Sequence, residues 1–387
     1  MSKIKTALFY SIKTVMFSQT YPLPELSPEE LEKLYQFAKM HDLAHLVAIA
    51  LESSSYPFPD EKTKLKWIQE KNTAIARYTY QEYALAEIES EFANSQITYL
   101  PLKGAVLREN YPEPWYRTSS DIDLFIHEED FEKARERLIA CGFEMKSHGK
   151  KDSVFSRDDF VCLELHTNLL SANEKVELLN SENIWSRIET NDYKSKMQDA
   201  DFYVYHVEHM KKHFVYGGCG IRSFLDLWLL NHKSVNDDIF QKRQERLEEC
   251  GLKKFEEGIR QLSEVWFGDR SHNQLTKQME KYIFVGGIYG TVENWAKIQI
   301  IQNDSKIKSL WKRTWLSYEE LSERYPTLKK YPYLQPYYEG KRLVTMLFER
   351  RLGRIMNEAN ANRKFDKEKR NQMQEMLDAL GIKENQK

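Results

Sequence analysis

The hydrophobic positions along this chain change period more than once, and the changes mark out its organisation. Ser27-Pro28-Glu29-Glu30 has the form of a capped helix start, with Ser27 as N-cap, Pro28 in the first turn and Glu30 closing a capping box. Leu31, Leu34, Phe37 and Ala38, then Leu43, Leu46 and Val47, follow at helical spacing. A second amphipathic stretch runs from about Lys62 to Asn94. From Gln96 to Leu102 the pattern becomes strand-like, and Lys103-Gly104-Ala105 starts a short helix reaching about Glu109. The run Asp121–Ile126 reads as a buried strand. Asp130 is placed to cap a helix running to Ala140, with Gly142 as its stop. Phe143–Ser147, Ser153–Ser156 and Val161–His166 read as three short strands with sequential antiparallel pairing.

From about Asn183 the helical period returns, most clearly over Tyr205–Phe214 and Ile221–Asn231, with the loop Gly217–Gly220 between them. Gly286–Gly290 interrupts a later helical region. An aromatic-proline connector runs from Tyr325 through Pro336, and a helix from about Pro336 to Ile355 follows it. Residues from Asn360 onward are charge-rich, with Met373, Met376, Leu377 and Leu380 on one stripe, and read as a peripheral helix. The expectation is an α+β protein: a helical region over 1–95, a small mixed or antiparallel sheet core over 96–182, and a helical region over 183–387 with a peripheral tail from about 360.

Composition narrows the class. The 387 residues suffice for two or three compact units, and a hydrophobic share of 41% with 13% aromatics supports a packed core. Lys and Arg total 57 against 59 for Asp and Glu, which argues against coating nucleic acid by bulk electrostatics while leaving room for a local basic groove. The four cysteines show no CxxC spacing and read as reduced thiols, as in the cytoplasm. No signal peptide and no membrane span is expected.

The stretch Arg117-Thr118-Ser119-Ser120-Asp121-Ile122-Asp123-Leu124-Phe125-Ile126 carries the chemistry. Side chains alternate along a strand, so Asp121 and Asp123 share one face while Ile122, Leu124 and Ile126 take the other. Two like charges on a buried strand are costly unless a cation neutralises them, and Mg²⁺ prefers such oxygen ligands. The alternative is a strand end with solvated acids. Glu164 is the candidate third acid, on one face of its strand with Cys162 and His166; the alternative is a salt-bridged sheet residue. His166 either lines the site or satisfies a backbone partner. Lys103-Gly104 sits at a strand-to-helix turn, where glycine lets phosphate approach backbone amides and the lysine adds charge. Arg117 has the reach for bidentate phosphate contact.

In this order, Leu102-Lys103-Gly104, Arg117 with Asp121-Ile122-Asp123, and Leu163-Glu164-Leu165-His166 resemble the polymerase-beta-type nucleotidyltransferases. More specifically, they resemble an uncharacterised bacterial nucleotidyltransferase family. The similarity extends into the helices at His206, His209, His213, Arg222 and Asp226 and into the aromatic-proline segment, covering roughly residues 30 to 350. The chain departs from the wider superfamily in lacking a hydroxyl after the glycine, where Ala105 stands, and in having Glu rather than Asp as third acid. The resemblance implies metal-dependent transfer of a nucleoside monophosphate from an NTP. Asp121, Asp123 and Glu164 would be catalytic and hold Mg²⁺ or Mn²⁺, and Lys103, Gly104, Arg117, Ser120 and His166 would hold the nucleotide. Glu164 is placed to help deprotonate the acceptor.

Two other functions stay open at this point: phosphoryl transfer at the same metal site, and a binding or toxin–antitoxin-type module with little turnover. His206, His209 and His213 share one helical face, which fits a transition-metal site, a polar seam or a cover over the nucleotide; Arg222 and Asp226 fit an intrahelical pair. Acceptor (small molecule, peptide or protein), base preference and oligomeric state are open.

Overall fold

A computed structural model describes residues 2–149, 152–158, 161–169, 179–233 and 235–287, and beyond these 291, 294, 298, 318, 321–322, 325, 327–348 and 367–382. The predicted residues Ile288, Tyr289, Gly290 and Pro326, and the helix beyond 348, lie outside the described residues. The chain divides into one unit of residues 1–209 and 221–271 and a second of 210–220 and 272–387.

The first unit opens with four helices: α1 (Ser2–Phe17), α2 (Pro28–Met40), α3 (Ala44–Ser53) and α4 (Glu61–Asn94). The capping box at Ser27 forms as the sequence implies: its hydroxyl accepts the Glu30 N–H while the Glu30 carboxylate accepts the Ser27 N–H. The helical spacing that seemed to continue through Leu43 and Val47 is broken at Asp42, whose φ of 54° turns the chain from α2 into α3. An aspartate tolerates this left-handed geometry better than most residues, and a buried Leu43 beside it keeps the apolar spacing regular across the break.

The sheet begins with β1 (Tyr99–Pro101), followed by the one-turn helix α5 (Gly104–Leu107) and β2 (Ile122–Ile126). Helix α6 (Phe131–Ala140) starts after Asp130, whose side chain makes no capping bond, and stops at Gly142 with φ 81°. The meander β3 (Glu144–His148), β4 (Asp152–Arg157) and β5 (Val161–His166) pairs antiparallel, as expected. Strand β5 then lies parallel to β2, with Asp123 opposite Glu164. Beyond α7 (Ser181–Trp185), a hairpin of β6 (Glu189–Asn191) and β7 (Lys194–Lys196) adds to the edge, giving the order β3-β4-β5-β2-β1-β7-β6.

This hairpin corrects the expectation of helical structure from 183 onward. Its two three-residue strands are polar and exposed except for Ser195, so they carry no hydrophobic alternation to read. One face of the sheet packs Ile122, Leu124, Ile126, Leu163 and Leu165 against Ile88 and Phe92 of α4 and Leu138 of α6. The opposite face is therefore the one that carries Asp123 and Glu164.

Helix α8 (Asp199–Val215) and helix α9 (Ile221–His232) flank the glycine loop, as predicted; α10 (Asp237–Glu249) and α11 (Lys253–Phe267) complete the first unit. In the second unit, α12 (Gln274–Gly286) packs with the helix Lys367–Ala379, which buries Met376, Leu377 and Leu380 of the predicted stripe. The aromatic-proline segment forms a turn of 3₁₀ helix at Pro332–Leu334 leading into a helix at Gln335–Phe348. No helix among the described residues is long and apolar enough to cross a membrane.

Candidate functional site

The fully buried β2 delivers Asp123 to the sheet face opposite the core, and the parallel neighbour β5 places Glu164 across from it and His166 two residues further on. Ligand atoms of Asp123, Glu164 and His166 all lie within 4.8 Å of one another. Asp123 Oδ1 accepts hydrogen bonds from Lys103 Nζ at 2.6 Å and His166 Nε2 at 2.9 Å. Lys103 Nζ lies 3.8 Å from Glu164 Oε2. Asp123 is 1% exposed, and its second oxygen, Oδ2, is buried with no hydrogen-bond partner among the described residues. A buried carboxylate oxygen without a donor is costly, so the site is built for something more to approach it.

The charges sort the two carboxylates into different states. Burial by itself would raise Asp123, but the Lys103 ammonium and the His166 ring outweigh it and hold the group at about 2. Glu164 moves the other way: burial, then the neighbouring Asp123 charge, raises its carboxyl above the usual range. Two acids pushed apart by environment are a recurrent arrangement where proton transfer is performed. Lys103 is half-buried, which disfavours its charge, yet the Asp123 carboxylate outweighs this and raises it.

The backbone at Lys103 is strained to achieve this. Its φ of 42° with ψ of −115° is a conformation L-residues rarely adopt, held between β1 and α5, and it turns the ammonium onto Asp123. Gly104 is required by contact: a Cβ there would stand 2.8 Å from Ser119 Oγ and 2.9 Å from Ser119 Cβ. Ser119 in turn donates to Asp121 Oδ1 at 3.0 Å. Asp121 immediately precedes β2, half-buried, and its charge is felt at Glu164 and Cys162, although it is outside the close Asp123–Glu164–His166 group. Ser120 is exposed on the same loop.

Arg117 is committed to other partners, although its Nη1 stands 4.0 Å from where a Cβ on Gly104 would be. It is buried, with Nε donating to Asp226 Oδ1 at 2.7 Å and Nη1 to the Thr118 carbonyl. Tyr111 donates to the same Asp226 oxygen at 2.7 Å. Asp226 is thus bonded to Arg117 and Tyr111, and Arg222 is bonded to Asp42 and the Thr118 carbonyl, so the expected intrahelical Arg222–Asp226 pair is replaced by two longer-range ones. Burial opposes charge on Asp226, and Arg117 overcomes this to lower its carboxyl. His206 is buried beside this network, close enough for its charge to be influenced by Asp226 and Arg117, and burial lowers its ring. His209 and His213 are half-buried, and among the described residues none of the three helical histidines belongs to a metal-competent group.

Sequence reasoning passed over Tyr205, one residue from His206. It is buried, which raises its phenol, and it feels the charges of Lys103, Asp123, Glu164 and Asp121. Its signal was weak because a tyrosine in an apolar helix reads as core. Ser119 was equally hidden, its role set by a through-space contact with Gly104.

Three parallel or antiparallel neighbours thus bring two carboxylates, an imidazole and a lysine together on one sheet face, with a loop carrying a third acid alongside. The chain belongs to the family described as uncharacterised nucleotidyltransferase, whose model matches residues 27–268, from the N-cap of α2 to the end of α11. No curated protein and no solved structure matches the chain.

Proposed function

We propose that this protein transfers a nucleoside monophosphate from an NTP to an acceptor hydroxyl or amine, using a divalent cation held by Asp123 and Glu164, with Asp121 and His166 beside them. The observation that carries the reading is the orphaned, buried Oδ2 of Asp123 within a group whose ligand atoms are mutually within 4.8 Å. That donor set fits: carboxylate oxygens suit Mg²⁺, and the added imidazole nitrogen is compatible with Mn²⁺. A bound divalent ion supplies charge neutralisation at the phosphate oxygens.

The chain's own residues would do the rest. Lys103, poised on Asp123, offers an ammonium to the phosphates once its carboxylate partner is otherwise neutralised. The Glu164 carboxylate, its proton affinity raised by burial and by Asp123, is suited to take the acceptor's proton as the acceptor atom attacks the α-phosphorus and the bond to pyrophosphate breaks. Tyr205, buried on α8, would help shelter Asp123 from water, while Glu164 stays partly open to incoming substrate. Arg117, engaged with Asp226, supports the loop that presents Asp121 rather than serving as a free phosphate ligand. The arrangement of Asp123 on β2 beside Glu164 on parallel β5, after the Lys103-Gly104 turn, favours membership of the polymerase-beta-type superfamily.

Purified protein incubated with Mg²⁺, cell extract and NTPs labelled at the α- or the γ-phosphate tests this. Transfer of α-label, lost in Asp123→Asn, supports nucleotidyl transfer. Transfer of γ-label alone would replace it with phosphoryl transfer, and absence of both would leave a binding module.

A further inference from the structure

A cavity of about 290 Å³ opens among α2, α3 and α4, and none of its lining residues belongs to the acid cluster. That volume is near the lower end of ligand pockets, which run from roughly 300 Å³ upward, and suits a metabolite rather than a polymer. Its lining is charged and polar: Tyr35, Lys39, Asp42, His45, Glu70 and Arg77 among others. Most of these charges are already answered. Glu70 Oε1 accepts from Tyr35 Oη at 2.5 Å and from Lys39 Nζ at 2.7 Å. Asp42 Oδ2 accepts from Thr118 Oγ1 at 2.7 Å and pairs with Arg222. His45 Nε2 lies 2.8 Å from the Tyr116 carbonyl, which can only accept, so that nitrogen carries the proton. Burial of His45 disfavours a second proton, which leaves Nδ1 as an acceptor.

Arg77 is the exception. It is half-buried on α4, lines the cavity, and makes no hydrogen bond or ion pair with any other described residue. Glu70 pairs with Lys39 and Asp42 with Arg222; the Arg77 charge is felt at Asp42, but the guanidinium forms no close pair with either carboxylate. Guanidinium is the side chain best matched to planar, two-point recognition of carboxylate or phosphate. The same lining offers acceptors at His45, Glu70 and Asp42.

We propose that this cavity is a binding site for a small metabolite whose carboxylate or phosphate pairs with Arg77 and whose amine or hydroxyl donates to the acceptors of the same lining. The site stands independently of the transfer reaction. Calorimetric titration of the full chain with inorganic phosphate, and separately with a pool of free L-amino acids, tests it. The expected result is saturable binding of one of the two, weakened at least tenfold in Arg77→Gln and in Thr73→Tyr, which fills the cavity from α4, and unchanged in Asp123→Asn. The arm that binds identifies the anion as phosphate or carboxylate. Thermal melts of both cavity variants establish that they are folded. The proposal is overturned if the wild-type chain binds neither probe, if folded Arg77→Gln binds as tightly as wild type, or if Asp123→Asn abolishes binding and so assigns it to the acid cluster.

Discussion

Replacing Lys103 by Met removes the ammonium that lies 2.6 Å from Asp123 Oδ1, in a place where the carboxylate is 1% exposed. The consequence can be sized from the carboxyl itself. Asp123 is held at about 2 against an ordinary value of 3.8, a preference for the charged form on the order of 2 kcal/mol. That is what remains after burial has worked against it. Among the groups opposing burial, the Lys103 charge comes first and His166 next, so the loss of Lys103 should remove an amount comparable to that net preference, on the order of 2 kcal/mol. An exposed pair would give only about 0.2–1 kcal/mol.

The assay is a double-mutant cycle of Lys103→Met and Asp123→Asn by chemical denaturation at pH 7. The predicted coupling is about 2 kcal/mol. Because the folded-state carboxyl is depressed, its contribution is present above pH ~3.8 and is lost as pH falls toward 2, so the coupling should shrink at pH 3. A coupling at pH 7 no larger than that of a surface pair, or one insensitive to acid, would refute the reasoning.

Four further outcomes follow from the same geometry. Gly104→Ala should destabilise by about 1–3 kcal/mol in thermal or urea melts, because its Cβ meets Ser119 at 2.8–2.9 Å, and Ser119→Gly should recover part of the loss. Arg117→Met should cost about 3–5 kcal/mol in denaturant titrations by leaving Asp226 charged and buried, a stability effect that a surface phosphate ligand would not show. Glu164→Gln should melt higher than wild type at pH 7. A carboxyl raised in the folded state penalises folding once pH exceeds that raised value, and the gain should close as pH is lowered through it. Tyr205→Phe should keep the fold and lower the transfer rate less than Asp123→Asn does, read by initial rates with labelled NTP.

Much of the sheet was legible because its core strands carry their own signal. Ile122, Leu124, Leu163 and Leu165 alternate with Asp123 and Glu164, and the meander from β3 to β5 follows the order of its hydrophobic runs. The acids could be found because charge on such strands is anomalous. What remained hidden depends on distance in space rather than along the chain. The β6–β7 hairpin is polar and edge-bound, so it presents no period. Arg117 looks like a phosphate ligand until Asp226, more than a hundred residues away, arrives beside it. Likewise the pairing of Arg222 with Asp42 requires the α2–α3 turn to be folded against α9. Tyr205 and Ser119 owe their positions to packing that no local pattern encodes.

Mn²⁺ binding followed by electron paramagnetic resonance, in the presence of a non-hydrolysable NTP analogue, tests the central claim most directly. The account predicts a tightly bound ion in the wild-type chain that is lost in Asp123→Asn and weakened in Glu164→Gln and His166→Gln, with all three variants folded. An ion bound equally well by Asp123→Asn, or none bound by the wild type in the presence of nucleotide, would contradict it.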